Sequence, residues 1–408
     1  MSEHIETIII GGGQGGLSTS YYLTRQGREH IVLDAAEAAA QPWRHDRWDS
    51  FTLVTPNWSF RLPGGEYDGP DPDGYMPRAE VVERLERYIE KHRLPVQFGV
   101  RALSVEPSDS GYRVSTDNGA WQARNVVVAT GLFQKPKFPP WSKDFPASIL
   151  QNPSGQYRNP DALPPGAILV VGSAQSGCQI AEELLEAGRK VYLCTGSAGR
   201  IPRRYRGRDV IEWLDRCGFL AHTPDQLPSP QARFAGNPQL SGKAGGHSLN
   251  LHQFYPDGMT LLGRLQGVND GVIHLAEDLK ENLKKSDALE VNIVKLIDEY
   301  IEKAGIEAPE EMLTALQDGY SAPEILSLDL IAAGISTVIW ALGYTFDFSL
   351  VKLPVFDEAG FPLTDRGITR YPGLYFAGLP WLPGQDTGLF LGVGENAAVV
   401  ADHILSRG

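Results

Sequence analysis

Cysteine is scarce: Cys178, Cys194 and Cys217 are the only three in 408 residues. They form no C-x-x-C pair and no spacing that suits a metal. A disulfide-stapled scaffold and dithiol redox chemistry are therefore excluded, and three free thiols in a reducing compartment are expected. No apolar run approaches the roughly 18 residues of a membrane span. Positive charge is also short. The 37 Lys+Arg stand against 50 Asp+Glu, for a net charge of −13, which argues against nonspecific binding to nucleic acid or to an anionic membrane surface. Met1–Thr7 is polar and acidic, unlike a secretory leader, so a cytoplasmic location is expected. With 42% hydrophobic and 21% charged residues, the chain can bury a core and is not of the disordered class. At roughly 100–200 residues per domain, its length suits two or three domains, or two with one interrupted.

Glycine is in excess, at 44 residues. Ile5–Ile10 is apolar and β-branched, like a buried parallel strand. Gly11-Gly12-Gly13-Gln14-Gly15-Gly16 follows, then a helical stretch to Gln26, a stop at Gly27, and a strand ending at Asp34. The same order returns 161 residues later. Ala167–Val171 precedes Gly172-Ser173-Ala174-Gln175-Ser176-Gly177, a helix runs to Ala187, Gly188 stops it, and Val191–Cys194 is the next strand. Gln14 maps onto Gln175 and Gly16 onto Gly177, so a βαβ unit is repeated. Elsewhere, Arg78–His92 reads as an amphipathic helix and Val96–Val128 as two or three antiparallel strands. Residues 133–166 read as a proline-rich crossing linker. In the irregular stretch 206–330, two helices are expected near Ala276–Lys285 and Val294–Lys303, with a loop over Leu227–Gly246. Strands at Thr337–Trp340 and Leu374–Ala377 and a last helix from about Gly394 to Leu405 close the chain.

A G-x-G-x-x-G turn between a strand and a helix lets backbone approach a pyrophosphate. The helix N-terminus then offers unpaired N–H groups to the anion. Asp34, 18 residues beyond Gly16, is placed to accept hydrogen bonds from ribose hydroxyls. In the second copy Ala174 replaces the middle glycine and Thr195 stands where Asp34 stood. Without an acid there, and with Arg200, Arg203 and Arg204 just beyond, the second site is expected to take a 2′-phosphate and so to prefer NADPH to NADH. For any single arginine a solvated basic loop is an equal alternative.

The order of Gly11–Gly16, Val128-Ala129-Thr130-Gly131, Gly172–Gly177, Trp340-Ala341-Leu342-Gly343-Tyr344 and Gly373–Gly378 resembles class B flavin-dependent monooxygenases over essentially the whole chain. The segment Trp43-Arg44 through Arg47-Trp48-Asp49-Ser50-Phe51 to Thr55-Pro56 is similar to their bacterial CzcO-like subgroup. The resemblance implies an α/β fold of two dinucleotide-binding, Rossmann-like domains. The FAD domain is discontinuous (1–140 and 336–408) and the NADPH domain is inserted (141–335). It implies that Gly11, Gly13, Gln14, Gly15, Gly16 and Asp34 hold FAD, with Trp43 and Arg44 near its phosphates, Ala102 at its adenine and Trp48 a further FAD-binding candidate. Ala129-Thr130-Gly131 is then one domain-crossing link. Gly378 is a further FAD-binding candidate, and Leu389 and Phe390 belong to the segment Thr387-Gly388-Leu389-Phe390 under the flavin. Gly172, Ser173, Ala174, Gln175, Ser176, Gly177 and Thr195 fall to NADPH. Trp43, Trp48, Leu389 and Phe390 would serve equally as core residues.

The implied reaction is insertion of one oxygen atom from O2 into a small organic substrate through a flavin C4a-(hydro)peroxide. Gln175 is the candidate beside the nicotinamide; Thr55 and Asn57 are the polar candidates beside the flavin. The sequence departs from the group's F-x-G-x-x-x-H fingerprint, with Phe145-Pro-Ala-Ser-Ile-Leu-Gln151 at that place, and heteroatom oxygenation is therefore expected over Baeyer–Villiger chemistry. His247 and His252 could face a substrate or sit in the core. An NADPH-dependent reductase or oxidase and a non-catalytic nucleotide-binding sensor are the alternatives. A homodimer stays open.

Overall fold

The computed structural model describes residues 3–407, so Met1 and Ser2 of the polar N-terminal stretch lie outside the described residues. In chain order, the first half has β1 (Glu3–Ile10), α1 (Gln14–Arg25), β2 (His30–Asp34), α2 (Arg78–His92), β3 (Val96–Phe98), β4 (Ala102–Ser108), β5 (Gly111–Thr116) and β6 (Gly119–Val128). There follow β7 (Leu150–Pro153), β8 (Ala167–Val171), α3 (Gln175–Glu186), β9 (Val191–Cys194), β10 (Thr260–Leu262), β11 (Leu265–Asn269) and β12 (Val272–Leu275). The chain ends with α4 (Leu279–Ala304), β13 (Ser327–Asp329), β14 (Ile335–Trp340), β15 (Leu374–Phe376) and α5 (Val393–Ser406).

Two sheets organise the molecule, the first mixed and the second parallel. The first has the order β3-β2-β1-β6-β5-β4. The strand β6 serves two partners on one edge: Gly119–Ala123 pairs antiparallel with β5, and Val126–Val128 pairs parallel with β15. Residues from both ends of the chain thus share one sheet. Ile8, Ile9 and Val126–Val128 have no exposed surface, as expected of strands covered on both faces. Of the strands expected across Val96–Val128, β4, β5 and β6 are antiparallel as read, whereas β3 lies parallel to β2 at the far edge.

The second sheet has the order β7-β14-β8-β9-β10, all parallel. Because Ile335–Trp340 pairs between Leu150–Pro153 and Ala167–Val171, the chain leaves this sheet after Trp340, not at residues 335–336. Two crossings join the sheets. Lys135–Pro136 and Tyr344–Thr345 pair antiparallel, and Lys137 N–H donates to Gly343 O at 3.0 Å. The link residues Gly131 and Gly343 have φ of +70° and +77°, which glycine adopts without strain.

The stretch 206–330 is more ordered than its sequence suggests. It contributes β10 to the second sheet and a three-stranded antiparallel sheet, β11-β12-β13. The two expected helices are one continuous helix, α4, of 26 residues. Leu279, Asn282, Leu283, Ser286, Ile293, Ile297 and Ile301 are its buried residues. Their helical spacing forms one stripe through the weak helix formers around Ser286–Asn292, so packing overrides the local preference to break.

Candidate functional site

The two glycine turns match atom by atom. Gly11 N–H donates to Leu33 O at 2.8 Å and Gly172 N–H to Cys194 O at 3.0 Å. Both glycines have φ near +107°. A Cβ on Gly11 would lie 2.5 Å from Ala129 O, and one on Gly172 would lie 2.6 Å from Ala341 O. A Cβ on Gly16 or Gly177 would come within 1.9 Å of the carbonyl of Gly11 or Gly172. These glycines let helix, turn and crossing link touch. The N-cap residues Gly13 and Ala174 share an extended conformation, and neither α1 nor α3 has a side-chain cap or an acid in its first turn. Each helix therefore presents its N-terminal N–H groups and positive dipole end at its turn.

Around the first turn, distant segments converge. A Cβ on Gly13 would meet nothing within 4 Å, while one on Gly15 would lie 2.6 Å from Gly378 Cα. The Gln14 amide donates to Gly388 O, tying α1 to the segment before α5. Asp34 Oδ2 accepts from Gly12 N–H at 2.6 Å and Oδ1 from Ala36 N–H at 2.7 Å. Trp43 stacks on Phe390 at 5.8 Å, and Phe390 also meets Phe60 at 4.4 Å. Trp48 is buried against Phe51. Arg44 pairs with Glu86 and donates to Ala39 O. Thr130 Oγ1 accepts from the Gln134 amide at 3.3 Å. Ala102 opens β4 at its pairing with Thr116, and Leu389 is part-exposed beside buried Phe390.

Several candidates are committed elsewhere. Asn57 is buried, its amide donating to Asp71 O at 2.8 Å and its oxygen accepting from Met76 N–H at 2.7 Å. It ties the 56–76 loop together through both side-chain atoms, whereas Thr55 is half-buried. Thr195 is buried and donates to Leu262 O at 2.7 Å. Ser173 Oγ accepts from Gly196 N–H at 3.0 Å, while Ser176 stays half-buried.

The arginine cluster is held by the protein's own acceptors. Arg200 is buried between Asp287 and Glu290, and Arg203 is buried on Asp209, on Val54 O and over the Tyr75 ring. Arg204 donates to the carbonyls of Gly245 and Gly246. Desolvated arginines of this kind are held by partners that a phosphate would have to displace. His252 is fully buried. Its Nδ1 accepts from Gly319 N–H and its Nε2 donates to Asp287, so it belongs to the same core. His247 bonds Glu182, which raises its pKa.

At the place of the fingerprint histidine, Gln151 Oε1 accepts from Trp340 Nε1 at 3.1 Å, and Phe145 packs edge-on to the same indole. Cys178 and Cys194 are buried free thiols whose burial pushes their pKa up, which makes them inert.

Asp386 is a group that sequence reading overlooked. Its carboxylate lies against Gly384 and Gly392 at the foot of α5. Burial, then the charges of Glu395 and Asp215, push it from 3.8 up to about 6. The folded state therefore favours the protonated form. This contribution is complete below pH 4 and is lost as pH rises through 6. A separation of about two pH units corresponds to at most roughly 2–3 kcal/mol, and solvent screening at this half-buried carboxyl lowers it. Asp386→Asn should thus raise the melting temperature by about 5 °C at pH 7 and leave it unchanged at pH 4. An equal shift at both pH values in thermal denaturation would refute this.

Comparison with known proteins gives a consistent pattern. A family model described as pyridine nucleotide-disulphide oxidoreductase matches residues 8–207. A CzcO-like oxidoreductase of Geobacillus kaustophilus is 30% identical over the full length of both chains. A probable indole-3-pyruvate monooxygenase of Arabidopsis thaliana is 29% identical over 49% of each chain. Among solved structures, a flavin-containing monooxygenase from Stenotrophomonas maltophilia aligns with a TM-score of 0.66 at 20% identity, covering 99% of both chains.

Proposed function

The chain belongs to the CzcO-like family of flavin-dependent oxidoreductases and monooxygenases, whose cofactors are FAD and NADPH, and from that premise we propose that it is itself an NADPH-consuming monooxygenase. Its substrate is a small organic molecule that receives one oxygen atom from O2 at a soft heteroatom, an amine nitrogen or a sulfur. The observation that carries this reading is the duplicated turn. Two helix N-termini without side-chain caps are built alike, each backed by a crossing link, and the links are hydrogen-bonded to one another.

The residues fit the two groups. The open space at Gly13 and the uncapped start of α1 suit the FAD pyrophosphate. Each Asp34 oxygen already accepts one N–H and keeps a further lone pair for a ribose hydroxyl. Residues 1–140 and 341–408 would form the FAD domain and 141–340 the NADPH domain. When bound, FAD supplies hydride acceptance and activation of O2. The chain positions the two nucleotides and keeps water from the reacting atoms. Trp43, Phe60 and Phe390 form an apolar wall beside the segment assigned under the flavin, and Gln175 opens α3 where the nicotinamide half would approach. Arg200 and Arg203 drop out as readers of the 2′-phosphate. The commitment of Gln151 to Trp340 supports heteroatom oxygenation over lactone formation.

The test is turnover of NADPH with a simple thioether under 18O-labelled O2. The expected result is steady NADPH oxidation with one labelled oxygen in the sulfoxide. NADPH oxidation without labelled product would point to a reductase or oxidase. Stoichiometric flavin reduction without turnover would point to a sensor.

A further inference from the structure

The two turns are alike in backbone but not in what lies over them. Gly13 faces open space, whereas Ala174 faces Gly236, whose built Cβ would sit 3.2 Å from Ala174 Cβ. The N–H of Gln175, at the start of α3, donates to Asn237 O at 3.3 Å. The chain's own carbonyl thus occupies the donor that a helix N-terminus offers to an anion. A phosphate oxygen makes the stronger, charge-assisted bond to such an N–H.

Residues 222–239 supply this cover, and they contain four prolines. Gly236 and Asn237 are exposed, so the segment lies over the surface and is not built into the core. It is rooted in the second sheet through Gln239, whose amide donates to Ser173 O at 2.8 Å and Ala198 O at 3.1 Å. Its middle is fastened to the other half of the molecule. Arg233 pairs with Asp357 at 2.7 Å, the Trp381 indole donates to Arg233 O at 3.2 Å, and Phe234 meets Phe361 at 5.9 Å.

We propose that this segment is a displaceable strap that gates the second turn. A pyridine nucleotide takes the Gln175 N–H from Asn237, and the strap then releases Asp357 and Phe361. Entry of the nucleotide is thereby coupled to loosening of one half of the molecule from the other. This rests on the reading of Gly172–Gly177 as the pyridine-nucleotide turn. A closed strap lowers apparent affinity by the fraction of time it is open. Weakening its fastening therefore strengthens binding without touching the turn.

The experiment is calorimetric titration of the flavin-loaded protein with NADP+, comparing wild type with Arg233→Ala and Phe234→Ala. Trypsin digestion of the wild type with and without NADP+ accompanies it. Both variants are expected to bind NADP+ roughly tenfold tighter. Wild type should be cut after Arg233 faster when NADP+ is present, because cleavage needs the segment to leave its seat. Unchanged or weaker binding in both variants, or slower cleavage with NADP+, overturns the strap while leaving the nucleotide site standing. No NADP+ binding by any of the three proteins overturns both.

Discussion

Gly13→Leu is expected to fold normally and to purify without colour. Gly13 is exposed, with φ of −80° and ψ of −174°, and a Cβ there meets nothing within 4 Å. A leucine adopts that extended backbone freely and its Cβ meets no protein atom, so the change is mild for the fold; leucine is only a poorer N-cap than glycine, by about 1 kcal/mol. The same side chain fills the space through which a pyrophosphate reaches the first N–H groups of α1. FAD affinity should fall by roughly a hundredfold or more, read as the flavin-to-protein absorbance ratio and by titration of the stripped protein with FAD. Gly16→Ala makes the contrast. Its Cβ would come within 1.9 Å of Gly11 O, so it should lower the yield of folded protein instead of the affinity of what folds. A Gly13→Leu protein that retains FAD at wild-type affinity would show that this turn does not carry the pyrophosphate.

What could be read from the sequence was whatever is imposed by backbone sterics. Gly11, Gly16, Gly172 and Gly177 are needed because a Cβ at each would strike backbone, and such a constraint leaves its mark at fixed spacing. The two βαβ units and α2 over Arg78–His92 were legible for that reason and from hydrophobic period, whereas the return of the chain end to the first sheet was implied by the family resemblance. The arginines were not, because a guanidinium that reads a phosphate and one that is locked between carboxylates look alike in sequence. The partners of Arg200 lie on α4, about 90 residues away. Asn57 is ambiguous in the same way. Its amide suits a flavin as well as it suits Asp71 O and Met76 N–H, and only the tertiary fold chooses. The segment 222–239 overlaps the loop expected over Leu227–Gly246. Its position over Ala174 depends on Arg233 and Phe234 finding Asp357 and Phe361, contacts without any local signature.

Arg200→Ala should destabilise the protein without changing its choice between NADPH and NADH. The guanidinium is 3% exposed. It pairs with Asp287 and, at 2.7 Å, with Glu290. Asp287 also accepts from Tyr320 at 2.7 Å and from His252 at 3.2 Å. Burial alone would raise the Asp287 carboxyl, but the hydrogen bonds from Tyr320 and Arg200 hold it below its ordinary value. Without Arg200, two largely buried carboxylates face each other with their main cation gone. Breaking such a pair costs roughly 3–5 kcal/mol. At about 2–4 °C per kcal/mol, the melting temperature should drop on the order of 10 °C. Arg204→Ala is the control. Its side chain is exposed and bonds only loop carbonyls, so its melting temperature should stay within about 2 °C of wild type. Below the transition, anaerobic flavin reduction by the two nucleotides should give the same NADPH-to-NADH ratio in Arg200→Ala as in wild type, since the guanidinium charge is already compensated by Asp287 and Glu290. A selective tenfold to hundredfold loss of NADPH with an unchanged melting temperature would mean that Arg200 leaves its carboxylates to read the phosphate, and the structural assignment of this network would then fail.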